Sequence, residues 1–149
     1  MTVLEIGVLG GDGIGPEVVR AGMQVLVAAA QDDPSLELNF TEFPWGCEYF
    51  LEHGRMMPED GLDTLAAYDE IYLGAVGWPT VPDHLSLWGL LLPIRRTFDQ
   101  YVNLRPARLL RGVKSPLAAP NNLDITVVRE NTEGEYSDSG GRVYKNTPY

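Results

Sequence analysis

A chain of 149 residues with 44% hydrophobic content is long enough to bury a sizeable core and too apolar for a disordered tract. A net charge of −10 argues against a nucleic-acid partner or an anionic membrane surface. Cys47 is the only cysteine, so neither an internal disulfide nor an all-cysteine metal site is possible, and no signal peptide or membrane-length apolar run is visible; a cytoplasmic protein is expected.

In chain order, residues 3–9 read as a buried strand ending in a glycine cluster. Pro16 and Glu17 suit the first turn of a helix, which continues over residues 18–30 with Val18, Val19, Met23, Leu26 and Val27 apolar. Residues 36–41 alternate as a second strand, and residues 49–51 belong to a short helix. Pro58 opens another helix to about residue 68. Residues 71–73 form a strand closed by Gly74-Ala75-Val76-Gly77. Residues 85–96 read as a helix that Pro93 should perturb or break. Strands alternating with helices imply an α/β fold with parallel strands.

The pattern changes near Phe98. Residues 101–110 look extended, residues 112–122 form a turn-rich loop, and residues 125–129 read as a buried strand. Residues 134–146 read as a strand pair turning at Gly140-Gly141. Charge shifts at the same place: residues 1–97 hold 15 acids and 4 bases, whereas residues 98–149 hold 6 acids and 7 bases. The basic residues thus gather where an anionic ligand could be held.

The turn Gly10-Gly11-Asp12-Gly13-Ile14-Gly15-Pro16-Glu17 joins a strand to a helix start, a geometry that can cradle an anion on backbone N–H groups. It is not a Rossmann fingerprint. That pattern needs glycines at i, i+2 and i+5, and from Gly11 the last falls on Pro16. It is not a P-loop either, since no Gly-Lys-Ser/Thr follows. By geometry alone it is equally a tight turn with no ligand.

Arg95, Arg105 and Arg129, taken singly, read as surface charges. Their surroundings change that reading. Leu92-Pro93-Ile94-Arg95-Arg96, then Asn103-Leu104-Arg105-Pro106, then Arg129-Glu130-Asn131-Thr132-Glu133-Gly134-Glu135-Tyr136 resemble the substrate segments of the metal-dependent β-decarboxylating dehydrogenases. That family includes isocitrate, isopropylmalate, tartrate and D-malate dehydrogenases. Gly-Asp-Gly-Ile-Gly-Pro-Glu is similar to its N-terminal cofactor loop. The segment Val81-Pro82-Asp83-His84-Leu85-Ser86-Leu87-Trp88-Gly89, with Trp78 and Phe98-Asp99-Gln100-Tyr101-Val102-Asn103, is most similar to the tartrate and D-malate branch; isopropylmalate dehydrogenase is the alternative within the family.

The resemblance implies an isopropylmalate dehydrogenase-like α/β fold. Residues 1–97 would supply the N-terminal part of the cofactor-side domain, and residues 98–149 would begin the substrate and dimerisation domain. It implies NAD as cofactor (NADP not excluded), held near Gly13, Ile14, Gly74, Ala75, Val76 and Gly77. It implies a small 2-hydroxy dicarboxylate bound by Arg95, Arg105 and Arg129, with Trp88 and Leu91 at its variable group and Tyr136 as general acid. The chemistry suits these residue types: guanidinium groups hold carboxylates bidentately and stay charged at any working pH. Mg²⁺ or Mn²⁺ is also implied, with ligands expected beyond Tyr149, so no metal residue is assigned here. His84 has no partner histidine at metal spacing, and Arg96 reads as a helix-surface charge. A homodimer is expected of the full-length enzyme. The resemblance covers the whole chain but only the N-terminal part of the family's length, so the expected protein is an incomplete fold, inactive alone. A non-catalytic remnant that binds a small anion or a partner chain is the other reading.

Overall fold

The computed structural model describes residues 1–118 and 123–137, and the chain divides into two compact units, Met1–Phe98 and Asp99–Tyr149. In the first unit, β1 (Thr2–Gly11) runs between β2 (Leu36–Phe43) and β3 (Glu70–Ala75), and both pairings are parallel. Four consecutive residues of β1, Ile6 to Leu9, are buried. A parallel strand covered on both faces reads as such a continuous apolar run rather than as an alternation.

Successive side chains of a strand point to opposite faces, and β1 uses both. Ile6 and Val8 meet Val19 of α1 (Gly15–Gln31) on one side. Leu9 points to the other side, into a larger cluster with Trp45, Cys47, Leu65, Leu90 and Ile94. That cluster draws on α2 (Cys47–His53), α3 (Gly61–Leu65) and the helical run from Asp83 to Thr97. The first unit is therefore a helix–sheet–helix sandwich with β1 as its spine.

Several elements differ from expectation in detail. α1 begins at Gly15, where Pro16 occupies its first turn. Of the apolar set expected on it, Val19 is buried while Val18, Leu26 and Val27 are exposed. The helix expected from Pro58 shrinks to Gly61–Leu65, because Pro58 instead accepts the Gly61 N–H in a preceding turn at 3.1 Å. Pro93 does not break its helix. α4 (Asp83–Ser86) passes through a π-helical segment (Leu87–Leu91) into α5 (Leu92–Thr97), and the Leu92 N–H reaches back to Leu87. A proline lacks the N–H its helix would use and crowds the carbonyl four residues back, and the wider turn absorbs both problems.

Asp99, with φ of 49°, opens the second unit in the left-handed region that aspartate tolerates better than most residues. Here β4 (Val102–Arg108) and β5 (Asp124–Glu130) form an antiparallel ribbon. The expectation that residues 125–129 are buried is corrected: Ile125, Val127 and Val128 are exposed. A two-stranded ribbon has no second layer of its own to cover its faces. The expected strand over residues 134–146 is also corrected where it is described. Gly134–Tyr136 is a 3₁₀ turn, entered through Gly134 at φ of 62°. The Gly140-Gly141 turn and residues 119–122 lie outside the described residues. No helix among the described residues is long and apolar enough to cross a membrane.

Candidate active site

The strand register brings two glycine loops together at one end of the sheet. Gly11 of β1 stands opposite Ala75 of β3, so the turn leaving β1 and the loop leaving β3 are neighbours at the carboxyl ends of parallel strands. Open α/β sheets bind their ligands at that edge. The contact is close enough to exclude side chains. A Cβ at Gly11 or Gly15 would overlap the Ala75 carbonyl oxygen, and one at Gly74 would overlap that of Gly10. Gly13 and Gly77 are different, since nothing lies within 4 Å of where their Cβ would be. With Ile14 and Ala75 they are exposed, while Gly74 and Val76 are half-buried. The two adjoining loops thus leave backbone accessible at Gly13 and Gly77.

Asp12, a residue that sequence reasoning passed over, holds these loops. It is 4% exposed. One carboxylate oxygen accepts the Cys47 N–H at 2.8 Å, and the other accepts the Gly77 N–H at 3.0 Å. Its own N–H donates to Ala75 at 2.7 Å, and its carbonyl accepts the Gly15 N–H at 2.8 Å. Gly46 is required beside it, because a Cβ there would stand 2.8 Å from the carboxylate. Burial, followed by hydrogen bonding to Asp12 and its negative charge, pushes the Cys47 thiol up to about 12.

Further along the first unit, Trp88 projects from the π-helical segment and lines a groove of about 820 Å³ with Met56, Met57, His84, Leu85 and Gly89 among others. The Arg96 guanidinium carbon lies 4.8 Å from the centroid of the Trp88 ring, a cation–π contact that a reading of Arg96 as a bare surface charge missed. Leu91 and Arg95 are half-buried on the same helical run. Trp78 packs against the main core cluster.

In the second unit the ribbon register collects the other candidates. Asn103 pairs with Arg129 and Arg105 with Val127, so Arg105 and Arg129 share one face as diagonal neighbours. Such positions lie within reach of long side chains. Arg105 is exposed, and its side chain makes no hydrogen bond or ion pair among the described residues. Arg108, by contrast, pairs with Asp124 at 3.0 Å. Arg129 is half-buried. Its Nη2 donates to the Asn131 side-chain oxygen at 2.8 Å, its Cζ lies 6.0 Å from the Tyr136 ring centroid, and its buried Nε has no hydrogen-bond partner among the described residues.

Two further residues of this motif shape it. Asn131 is buried and donates its amide to the Gln100 carbonyl at 2.9 Å, which fixes the acceptor that Arg129 uses. Glu130 accepts the N–H groups of Thr132 at 2.7 Å and Glu133 at 2.8 Å, building the turn that leads to Tyr136. Those same bonds, Thr132 first, hold the Glu130 carboxyl below its usual range. An acid four residues before the glycine that opens the turn was the available signal. Among the described residues no group of three or more His, Cys, Asp and Glu could hold a metal ion.

A three-stranded parallel sheet with paired glycine loops in the first unit, and in the second a ribbon that bears Arg105 and Arg129 and leads to the turn at Tyr136, define an α/β protein. The profile of the isocitrate/isopropylmalate dehydrogenase family matches residues 5–147, and the chain belongs to that family. It is 53% identical over 146 residues to a probable tartrate dehydrogenase/decarboxylase of Bacillus subtilis, covering 97% of this chain and 41% of that protein. It is 55% identical over 153 residues to a decarboxylating D-malate dehydrogenase of Escherichia coli, covering 100% of this chain and 42% of that protein. The crystal structure of isocitrate dehydrogenase from Methylococcus capsulatus superposes with a TM-score of 0.73 at 26% identity, over 91% of this chain and 37% of the other. The chain thus spans about two fifths of the length of the curated relatives it matches.

Proposed function

We propose that this chain supplies the cofactor loops and the substrate arginines of an NAD-dependent dehydrogenase acting on a small 2-hydroxy dicarboxylate of the tartrate or D-malate type, with or without decarboxylation. NADP is the alternative cofactor. Gly13, Ile14 and the loop from Gly74 to Gly77 would bear the dinucleotide, whose nicotinamide supplies the hydride acceptor. Arg95, Arg105 and Arg129 would hold the substrate carboxylates, with Trp88 and Leu91 limiting the group at its variable end. Residues 1–97 would belong to the cofactor-side domain, and residues 98–149 to the substrate and dimerisation domain.

The observation that carries the reading is the shared face of Arg105 and Arg129, with the Tyr136 ring 6.0 Å from the Arg129 guanidinium carbon. Two guanidinium groups on one face match two carboxylates, and fixing both orients the C2 hydrogen for transfer. Oxidation at C2 gives a keto acid whose β-carboxylate leaves as carbon dioxide. Its electron pair remains as an enolate, and Tyr136 would deliver the proton to carbon.

A panel of D-malate, tartrate and isopropylmalate, assayed for NAD and NADP reduction by the full-length protein with Mn²⁺, tests the proposal. Turnover of D-malate or tartrate supports it. Selective turnover of isopropylmalate moves the protein to the other branch, and turnover of none of the three overturns the reading. The family's homodimer is proposed for the same protein and is checked by its mass in solution.

A further inference from the structure

Asp12 occupies a place that the cofactor reading leaves unexplained. Between its side chain and its backbone, it bonds to the loops that follow all three parallel strands. Through Cys47 it holds the turn after β2, through Gly77 the loop after β3, and by its own backbone the turn after β1. Both carboxylate oxygens accept an N–H, and at 4% exposure the residue offers little surface to a ligand. The groups left accessible are the neighbouring backbone of Gly13 and Gly77. Their separation depends on a carboxylate that they flank and do not share with solvent.

We propose that Asp12 is a positioning residue for the cofactor, whose two-sided carboxylate sets the spacing of the Gly13–Ile14 and Gly74–Gly77 loops. The proposal rests on the reading of those loops as the dinucleotide site. It also explains the residue type. A carboxylate is an acceptor at both oxygens, whereas an asparagine of the same shape turns a donor towards one of the two N–H groups. Glutamate carries the same charge but has an extra methylene to place in a buried site against Gly46. Donors to a charged acceptor are also held more firmly than donors to a neutral one.

The test is Asp12→Asn in the full-length protein, with KM measured separately for the cofactor and the hydroxy acid. The expected result is a roughly tenfold or greater rise in cofactor KM with the hydroxy-acid KM moved by less than about twofold. A purely structural role would lower the amount of active protein without separating the two constants. Equal changes in both, or a change in neither, would overturn the assignment. Should the variant not fold, amide exchange on the unaltered protein decides instead. The Cys47 and Gly77 amides should exchange far more slowly than the Gly13 amide before any cofactor is added, and equal rates would overturn the proposal. Failure of the underlying reading looks different: the unaltered protein would then reduce no NAD with any of the three acids.

Discussion

Arg129 is held by Asn131. Its Nη2 donates to the amide oxygen at 2.8 Å, while Asn131 is itself buried and tied to the Gln100 carbonyl at 2.9 Å. One edge of the guanidinium is thereby engaged in orienting the side chain on β5.

Arg129→Lys removes that arrangement together with the planar fork. A lysine ammonium is a point charge on a flexible stem and cannot reproduce a bidentate grip. Hydrogen bonds to charged groups contribute about 1.5–3 kcal/mol, so substrate affinity should fall about 10–100-fold. Substrate titration of the variant checks this, and an unaltered affinity would remove Arg129 from the clamp.

Tyr136→Phe keeps the ring near Arg129 and removes the hydroxyl. If Tyr136 is the proton donor, decarboxylation should slow by about 10²–10⁴-fold with substrate binding spared. Single-turnover measurement of carbon dioxide release reads the step directly. An unchanged rate would take the acid role away from Tyr136.

Gly11→Ala probes the loop contact. Gly11 has φ of 73°, and the added methyl would meet the Ala75 carbonyl oxygen across the two strands. Strain and overpacking together should cost about 1–3 kcal/mol. A denaturation midpoint equal to that of the unaltered protein would show that the loops are not in contact as described.

Cys47 gives a pH prediction. Its thiol is buried and raised to about 12, so the folded protein holds this proton more tightly than the unfolded chain, where the ordinary value is about 8.5. The associated stability is fully present below the unfolded value and declines as pH climbs from there towards 12. At neutral pH the thiol should react slowly with a maleimide until the protein unfolds. Rapid labelling of the folded protein would contradict the burial.

The sheet was legible because residues 3–9 and 71–73 are apolar runs closed by glycines, while residues 36–41 alternate. Periodicity could not tell whether residues 125–129 are covered, since Val127 and Val128 have the same letters in an open ribbon as in a closed core. Motif order pointed to Arg105 and Arg129, but their shared face needed the register of β4 on β5. Asp12 stayed hidden for a similar reason. Its partners Cys47 and Gly77 lie 35 and 65 residues away, where no local pattern reaches. Pro93 predicted a disturbance correctly in place, though not its π-helical form.

The most direct measurement is the stoichiometry of the reaction itself. The full-length protein, given D-malate, NAD and Mn²⁺, should form NADH and carbon dioxide in equal amounts, and the same with tartrate would extend the result. Failure to form NADH from either acid would contradict the account.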